Sequence, residues 1–263
     1  MSRYTIISVC EAKRDVYRYA KAYEDKAIRL ARSIRANGGA NIPIVMWYGS
    51  DRPPAAETKT ALERLDCRLV EGVCQYPEHP VFNKTEALAT TVVDTEAKLW
   101  IDTDVYVRGG LDWFEQVECD VAASPDTHDH HVLARLEDEP VWRDYCRLMG
   151  FEWEDGARMQ TTIDGGVGNF YIMNGVIYMK NDRSLTDTYR ANAVRALESD
   201  LPYRELWHDQ VGLTTVVLQQ KRKYIPLPEA LNYVYALRRD INGQFIHYQD
   251  NILDNYPEID WPV

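Results

Sequence analysis

An α/β fold, with a mostly parallel central sheet and helices on both of its faces, follows from three features of the sequence. The first half alternates apolar, β-branched runs with amphipathic stretches, the order that builds strand–helix–strand units. Forty-five per cent of the 263 residues are hydrophobic, ample for a packed core. No uninterrupted apolar run approaches the ~20 residues of a membrane span.

Thr5-Ile6-Ile7-Ser8-Val9 is a first strand, entered directly from Met1-Ser2-Arg3-Tyr4. That start lacks the charged head, long apolar middle and cleavage site of a signal peptide, so a soluble, cytoplasmic protein is expected. Residues 15–37 read as an amphipathic helix. Tyr19, Tyr23, Ala27, Leu30, Ala31 and Ile34 recur at three- and four-residue spacing, Asp15 caps the start, and Gly38-Gly39 stops it. Residues 42–48 form a buried strand closed by the turn-forming 49–54, residues 57–65 a second helix, and residues 67–73 a third strand. A helix over 83–93 and a fourth strand over 98–107 complete the alternation. Sheets of this kind bind ligands beyond the carboxyl ends of their strands.

The middle is less regular. Apolar Val121-Ala122-Ala123 is followed by the polar patch Asp126-Thr127-His128-Asp129-His130-His131, a helical stretch over 141–149 and a glycine-rich loop over 164–169. Residues 170–179 suit another strand, 184–198 and 209–220 read as helices, and the tail from Tyr224 is rich in Pro and aromatic residues. With no repeat, low-complexity tract or linker, one domain over 1–263 is expected.

A net charge of −11 leaves no basic face for nucleic acid, which needs clustered Lys and Arg. A divalent cation with one or two local bases would still let such a chain hold an anionic ligand. Cys10, Cys67, Cys74, Cys119 and Cys146 are scattered and odd in number, which favours reduced thiols over a disulfide scaffold or a zinc site. His128, His130 and His131 fit no common zinc spacing, and Asp126 and Asp129 beside them suggest a solvated loop.

The chemistry concentrates in Leu99-Trp100-Ile101-Asp102-Thr103-Asp104. In an extended chain the two aspartates share one side and Thr103 takes the other, so the carboxylates can converge on one cation or divide between a metal and a ribose. Hard oxygen ligands select Mg²⁺ or Mn²⁺. Asp is also common in plain turns at strand ends, so the tripeptide alone decides nothing.

Its companions do more. Lys84 lies in Phe82-Asn83-Lys84-Thr85-Glu86, Asn174-Gly175-Val176 follows Ile172-Met173, Asp209-Gln210 opens a helical stretch, and His247 ends Phe245-Ile246-His247. In this ordered set the sequence resembles the GT-A glycosyltransferases, in particular the retaining family that includes glycogenin and bacterial lipopolysaccharide galactosyltransferases. The resemblance spans most of the chain. It implies a Rossmann-like fold with a nucleotide-sugar-binding half (1–123) and an acceptor half with a metal-completing tail (124–263). It implies that Asp102, Asp104 and His247 hold Mn²⁺ or Mg²⁺, with Asp102 also touching the ribose and Thr103 among the donor-binding residues. Lys84, Asn174 and Gly175 would contact the donor, Ile7, Ser8 and Val9 would cradle its base, and Asp209 and Gln210 would flank the anomeric carbon. One departure stands out. The family continues after its late histidine with Gly, Lys, Pro and Trp, whose lysine binds the diphosphate; here Tyr248-Gln249-Asp250-Asn251 follows.

Each companion also has a plain reading: a core histidine at His247, a surface cation at Lys84, a turn at Asn174-Gly175, and a helix-start aspartate at Asp209 stabilised by the dipole. The expected activity is metal-dependent transfer of a hexose, with retention, from a UDP-linked or related donor to a glycan, lipid-linked or small-molecule acceptor. The rivals are a haloacid-dehalogenase-type phosphatase and a non-catalytic sugar-nucleotide or glycan-binding module. Tyr106 stands where the phosphatase pattern wants Thr or Val, and its aspartate strand normally comes first in the domain. A nucleotidyltransferase would need a glycine-rich basic loop where Cys10-Glu11-Ala12-Lys13-Arg14 stands.

Overall fold

Alternation of apolar side chains sets the first strand, β1 (Tyr4–Val9), between two layers: Tyr4 and Ile6 pack into one core and Ile7 into another. A computed structural model describes residues 2–10, 23–126, 132–153, 158–160, 165–234 and 243–248. The helix expected over 15–37 is α1 (Tyr23–Ala36) within these residues; Asp15, Tyr19 and the histidines of 127–131 lie outside them. Then follow β2 (Ile44–Gly49), α2 (Ala56–Arg64), β3 (Cys67–Gly72), α3 (Phe82–Thr90), β4 (Ala97–Ile101), β5 (Val105–Val107), α4 (Leu111–Gln116) and β6 (Val121–Pro125). The second half carries α5 (Glu139–Leu148), β7 (Arg158–Gln160), β8 (Val167–Asn169), β9 (Ile172–Lys180), α6 (Arg183–Glu198), α7 (Arg204–Gln219), β10 (Tyr224–Pro226), β11 (Tyr233–Val234) and β12 (Phe245–His247).

Seven strands form the central sheet in the order β10-β6-β9-β4-β1-β2-β3, with β9 antiparallel to both neighbours and every other pair parallel. Helices cover both faces, as the sequence predicts. Leu30 and Ile34 of α1, Leu62 of α2 and Phe114 of α4 pack on one face. Leu88 of α3, Tyr189 of α6 and Leu213 and Val216 of α7 pack on the other. All five cysteines are free thiols, and among the described residues no helix is long and apolar enough to cross a membrane.

Two expectations need correction. The strand expected over 98–107 breaks after Ile101, and β5 turns away to join a small sheet in the order β11-β12-β5. Asp102-Thr103-Asp104 therefore sits in a turn between strands, not on an extended strand, so simple alternation does not bring its carboxylates together. The helix expected over 209–220 starts earlier, at Arg204, after Tyr203 in a left-handed conformation (φ 69°). Asp209 thus lies in the second turn, fully inside the helix.

Candidate active site

The turn at the end of β4 is pinned by main-chain bonds. Asp102 N–H donates to the Gly175 carbonyl of β9 at 2.8 Å, Val105 N–H to the Asp102 carbonyl at 3.1 Å, and Tyr248 N–H to the Asp104 carbonyl at 3.0 Å. The antiparallel pairing of β12 with β5 sets His247 opposite Val105, which carries its ring to Asp104. His247 Nε2 lies 3.1 Å from Asp104 Oδ1. One ligand atom each from Asp102, Asp104 and His247 fall within 4.8 Å of one another. The pairing of β12 with β5 thus achieves a convergence that strand alternation does not.

Gly175 is what lets the ring approach. A Cβ on Gly175 would stand 2.8 Å from His247 Nδ1 and Cε1, closer than Cβ contacts come, and at a tight 3.1 Å from Asn232 Oδ1. His247 Nδ1 and Asn232 Oδ1 are buried without hydrogen-bond partners on the same side of this glycine.

Lys84, in the first turn of α3, is buried and reaches under the turn. Its Nζ lies 3.0 Å from Asp102 Oδ1 and 3.6 Å from Asp209 Oδ2, and it donates to the Asn174 carbonyl at 3.0 Å. A lysine at a helix start gains nothing from the dipole; here two carboxylates and a carbonyl hold it. Trp100 Nε1 donates to Asp102 Oδ1 at 2.6 Å, and the Lys84 ammonium stands 5.6 Å from the Trp100 ring centroid.

Beside this cluster lies a buried triad of polar side chains. Asn174 Nδ2 donates to Asp209 Oδ2 at 2.5 Å, Gln210 Nε2 donates to Asn174 Oδ1 at 3.4 Å, and the Gln210 main-chain N–H donates to Asp209 Oδ1 at 2.9 Å. Gln210 Oε1 is buried and unpartnered, an acceptor left for another group.

The electrostatics divide the two aspartates. Burial raises the pKa of Asp102, Asp104 adds to the rise, and Lys84 and His247 oppose it. Burial also acts against ionisation at Asp104, yet the His247 ring beside it, by charge and hydrogen bond, and Lys26 of α1 carry its pKa well below the usual carboxylate range. His247 is raised: burial disfavours its charged form, but Asp104 more than compensates. Lys84 is likewise raised, because Asp102 and Asp209 outweigh its burial.

The structure thus gathers Lys84, Asp102, Asp104, Asn174, Gly175, Asp209, Gln210 and His247 in one place. The other sequence candidates are placed differently. Ile7 is buried under α3, and Ser8, fully buried, donates through Oγ to the Ile101 carbonyl at 2.6 Å. Of that trio only Val9 is partly exposed, and Thr103 is buried. Three residues were missed from the sequence. Trp100 sits two positions before Asp102, a spacing that signals a shared side. Tyr248, next to His247, donates from its hydroxyl to the Thr103 carbonyl at 3.4 Å. Arg29 of α1 braces that hydroxyl at 3.3 Å and stacks over the ring at 5.8 Å; no sequence signal marks it.

A family model described as the Rhodobacterales glycosyltransferase domain matches residues 18–221. No curated protein matches the chain in sequence. Among solved structures, the glycosyltransferase GlyE of Streptococcus pneumoniae TIGR4 is similar with a TM-score of 0.57 and 12% identity. That match covers 94% of this chain and 55% of GlyE, so the chain spans about half of that protein's length. The galactosyltransferase LgtC, solved in complex with donor and acceptor sugar analogues, is similar with a TM-score of 0.58 and 13% identity over 94% of this chain and 87% of LgtC. The bifunctional glycosyltransferase WbbM gives 0.56 and 15% over 99% of this chain and 50% of WbbM. At these identities the likeness is one of fold.

Proposed function

The chain belongs to the Rhodobacterales glycosyltransferase family and has the GT-A fold, and on that premise we propose that it transfers a hexose, with retention, from a UDP-linked sugar in a metal-dependent reaction. The observation that carries this reading is the convergence of Asp102, Asp104 and His247 within 4.8 Å, with Lys84 joining them to Asp209. Two carboxylates and an imidazole are a donor set that suits Mn²⁺ or Mg²⁺, and His247 Nε2 already faces Asp104.

When bound, the cation supplies Lewis-acid stabilisation of the charge that builds on the leaving diphosphate. Lys84 adds positive charge in the same partly dried space and opposes the rise that burial imposes on the Asp102 pKa. Asn174 holds Asp209 by a short bond, so this carboxylate stays fixed while charge develops at an anomeric carbon beside it. Gln210, hydrogen-bonded to Asn174 and through its main chain to Asp209, keeps that carboxylate in place. With the acceptor attacking from the leaving-group side, Asp209 and Gln210 line the reacting face. Residues 1–263 act in this proposal as one domain, 1–123 binding the donor and 124–263 meeting a glycan, lipid-linked or small-molecule acceptor. The free thiols accord with a reducing, cytoplasmic setting.

The test uses purified protein, Mn²⁺ and a panel of nucleotide sugars. The matched donor should raise the melting temperature and be hydrolysed slowly, and both effects should vanish on chelation and in Asp104→Ala. Stabilisation that survives both treatments would sink the metal–donor reading. Retention is checked by NMR of the product's anomeric configuration.

A further inference from the structure

The formal charges around the cation site leave nothing over for an anion. Asp102, Asp104 and Asp209 carry three negative charges, which Lys84 and a bound divalent cation together balance. A nucleotide sugar's diphosphate brings further negative charge into the same space, and that charge needs its own partner. The segment behind His247 offers none, since Tyr248-Gln249-Asp250-Asn251 follows it. Helix α1 does. It leans one face on β5: Ser33 Oγ accepts from the Val107 N–H at 3.1 Å, and Asn37 Nδ2 donates to the Val107 carbonyl at 3.0 Å. Arg29, Ser33 and Asn37 stand four residues apart, so Arg29 shares that face one turn further along.

Its guanidinium ends at the cation site. Nη1 donates to the Tyr248 hydroxyl at 3.3 Å, and the same hydroxyl donates to the Thr103 carbonyl at 3.4 Å. One phenol oxygen therefore separates the guanidinium from the turn that presents Asp102 and Asp104, and the Tyr248 N–H holds that turn at the Asp104 carbonyl. Arg29 is partly exposed, and among the described residues it pairs with no carboxylate. Tyr248 engages one nitrogen of a planar fork whose other N–H groups match phosphate oxygens. Lys26, one turn earlier, is placed differently. It is 5% exposed, its ammonium lies 5.1 Å from the Tyr23 ring centroid, and its charge acts on Asp104.

We propose that Arg29 is a further substrate-binding residue, its guanidinium gripping the diphosphate oxygens of the nucleotide sugar beside the cation. The proposal rests on the metal–donor reading above and adds to it the group that answers the diphosphate charge. Tyr248 prepares the grip. Its ring lies under the guanidinium, with the centroid 5.8 Å away, and its hydroxyl fixes one edge, so little side-chain freedom is lost on binding. A neutral sugar gains little from a cation without a carboxylate partner, whereas a phosphate gains a charge-assisted pair.

The test is calorimetric titration of the full chain with UDP, GDP, ADP and CDP, each with Mn²⁺, and with Mn²⁺ alone. Arg29→Gln keeps an N–H for the Tyr248 hydroxyl and removes the charge. It should weaken binding of the nucleotide that wild type prefers about 10- to 100-fold, the scale of a hydrogen bond to a charged group. Affinity for Mn²⁺ alone should not fall, because a neighbouring cation has been removed. Arg29→Lys, which keeps the charge and loses the fork, should bind with intermediate affinity, and circular dichroism checks that both variants fold. Wild-type nucleotide affinity in Arg29→Gln overturns the proposal; if that variant does not fold, wild-type affinity in Arg29→Lys does so. An equal loss for Mn²⁺ alone also overturns it, by making Arg29 a brace for the turn through Tyr248. The metal–donor reading fails separately, in wild type, if no nucleotide binds or if binding survives chelation, and the Arg29 proposal falls with it.

Discussion

Lys84 Nζ lies 3.0 Å from Asp102 Oδ1, and only 9% and 22% of the two side chains remain exposed. One ammonium from the first turn of α3 therefore compensates a carboxylate at the end of β4, and through Asp209 Oδ2 at 3.6 Å a second on α7. Lys84→Met should cost about 2–3 kcal/mol, the lower end for a broken buried pair because Asp102 keeps some water. Urea unfolding without metal measures it. Removing a competing cation should leave Mn²⁺ affinity at least unchanged while donor affinity falls; an unaltered unfolding midpoint would show that Lys84 is not the compensating charge.

Gly175→Ala puts a methyl 2.8 Å from the His247 ring, which has to move. Mn²⁺ affinity should fall about 10- to 100-fold, as when groups orienting a ligand are disturbed. Calorimetric titration with Mn²⁺ alone reads the change, and circular dichroism checks that the sheet survives. Equal affinity in the variant would remove His247 from the ligand set.

The Asp104–His247 pair gives a signed pH dependence. His247 has a raised folded pKa, so its share of the pair's stability is full below the unfolded value near 6.5 and is lost as pH rises through the folded pKa. Asp104 has a lowered folded pKa, so its share is full above about 4 and is lost only in strong acid. The metal-free protein should gain most from the pair between about pH 4 and 6.5. Mn²⁺ must displace the His247 proton, so its affinity should rise about tenfold per pH unit until that pKa is passed, then level. Mn²⁺ titrations from weakly acidic to weakly alkaline buffer, in wild type and His247→Asn, test this; a flat profile in wild type contradicts it.

Asp209→Asn preserves shape but removes the charge that Lys84 and Asn174 hold. It should lower kcat for transfer about 10²- to 10³-fold, the scale of losing one preorganised electrostatic group. Mn²⁺ affinity should change far less than kcat, because Asp209 is outside the proposed donor set and reaches it only through Lys84. Steady-state kinetics and calorimetry separate the two. A loss confined to Mn²⁺ binding would assign Asp209 a different part.

Much of this was legible in the sequence because the first half is built from local signals. Periodicity fixed α1 and the buried strands, and the run ending in Ile101 marked where a parallel strand delivers polar side chains to its carboxyl end. Lys84, Asn174, Asp209 and His247 could be singled out by order along the chain. What the sequence hid is tertiary. β9 enters the sheet antiparallel between β4 and β6, a pairing no local pattern encodes, and it brings Gly175 against both Asp102 and His247. The early start of α7 escaped notice because Arg204, Glu205, His208 and Asp209 blur the apolar stripe, although His208 and Asp209 are buried. Arg29 reaches Tyr248 only because α1 packs beside β5, which no spacing reveals.

The small sheet β11-β12-β5 delivers His247 to aspartates that stand about 145 residues earlier in the chain, a separation on the scale of a whole domain. Lys84, Asp102 and Asp209 all precede His247 in the chain, so their cluster can form before the histidine is made. On the proposed reading, a chain lacking β12 offers two aspartates but no closed cation site, and pairing of β12 with β5 is the step that closes it.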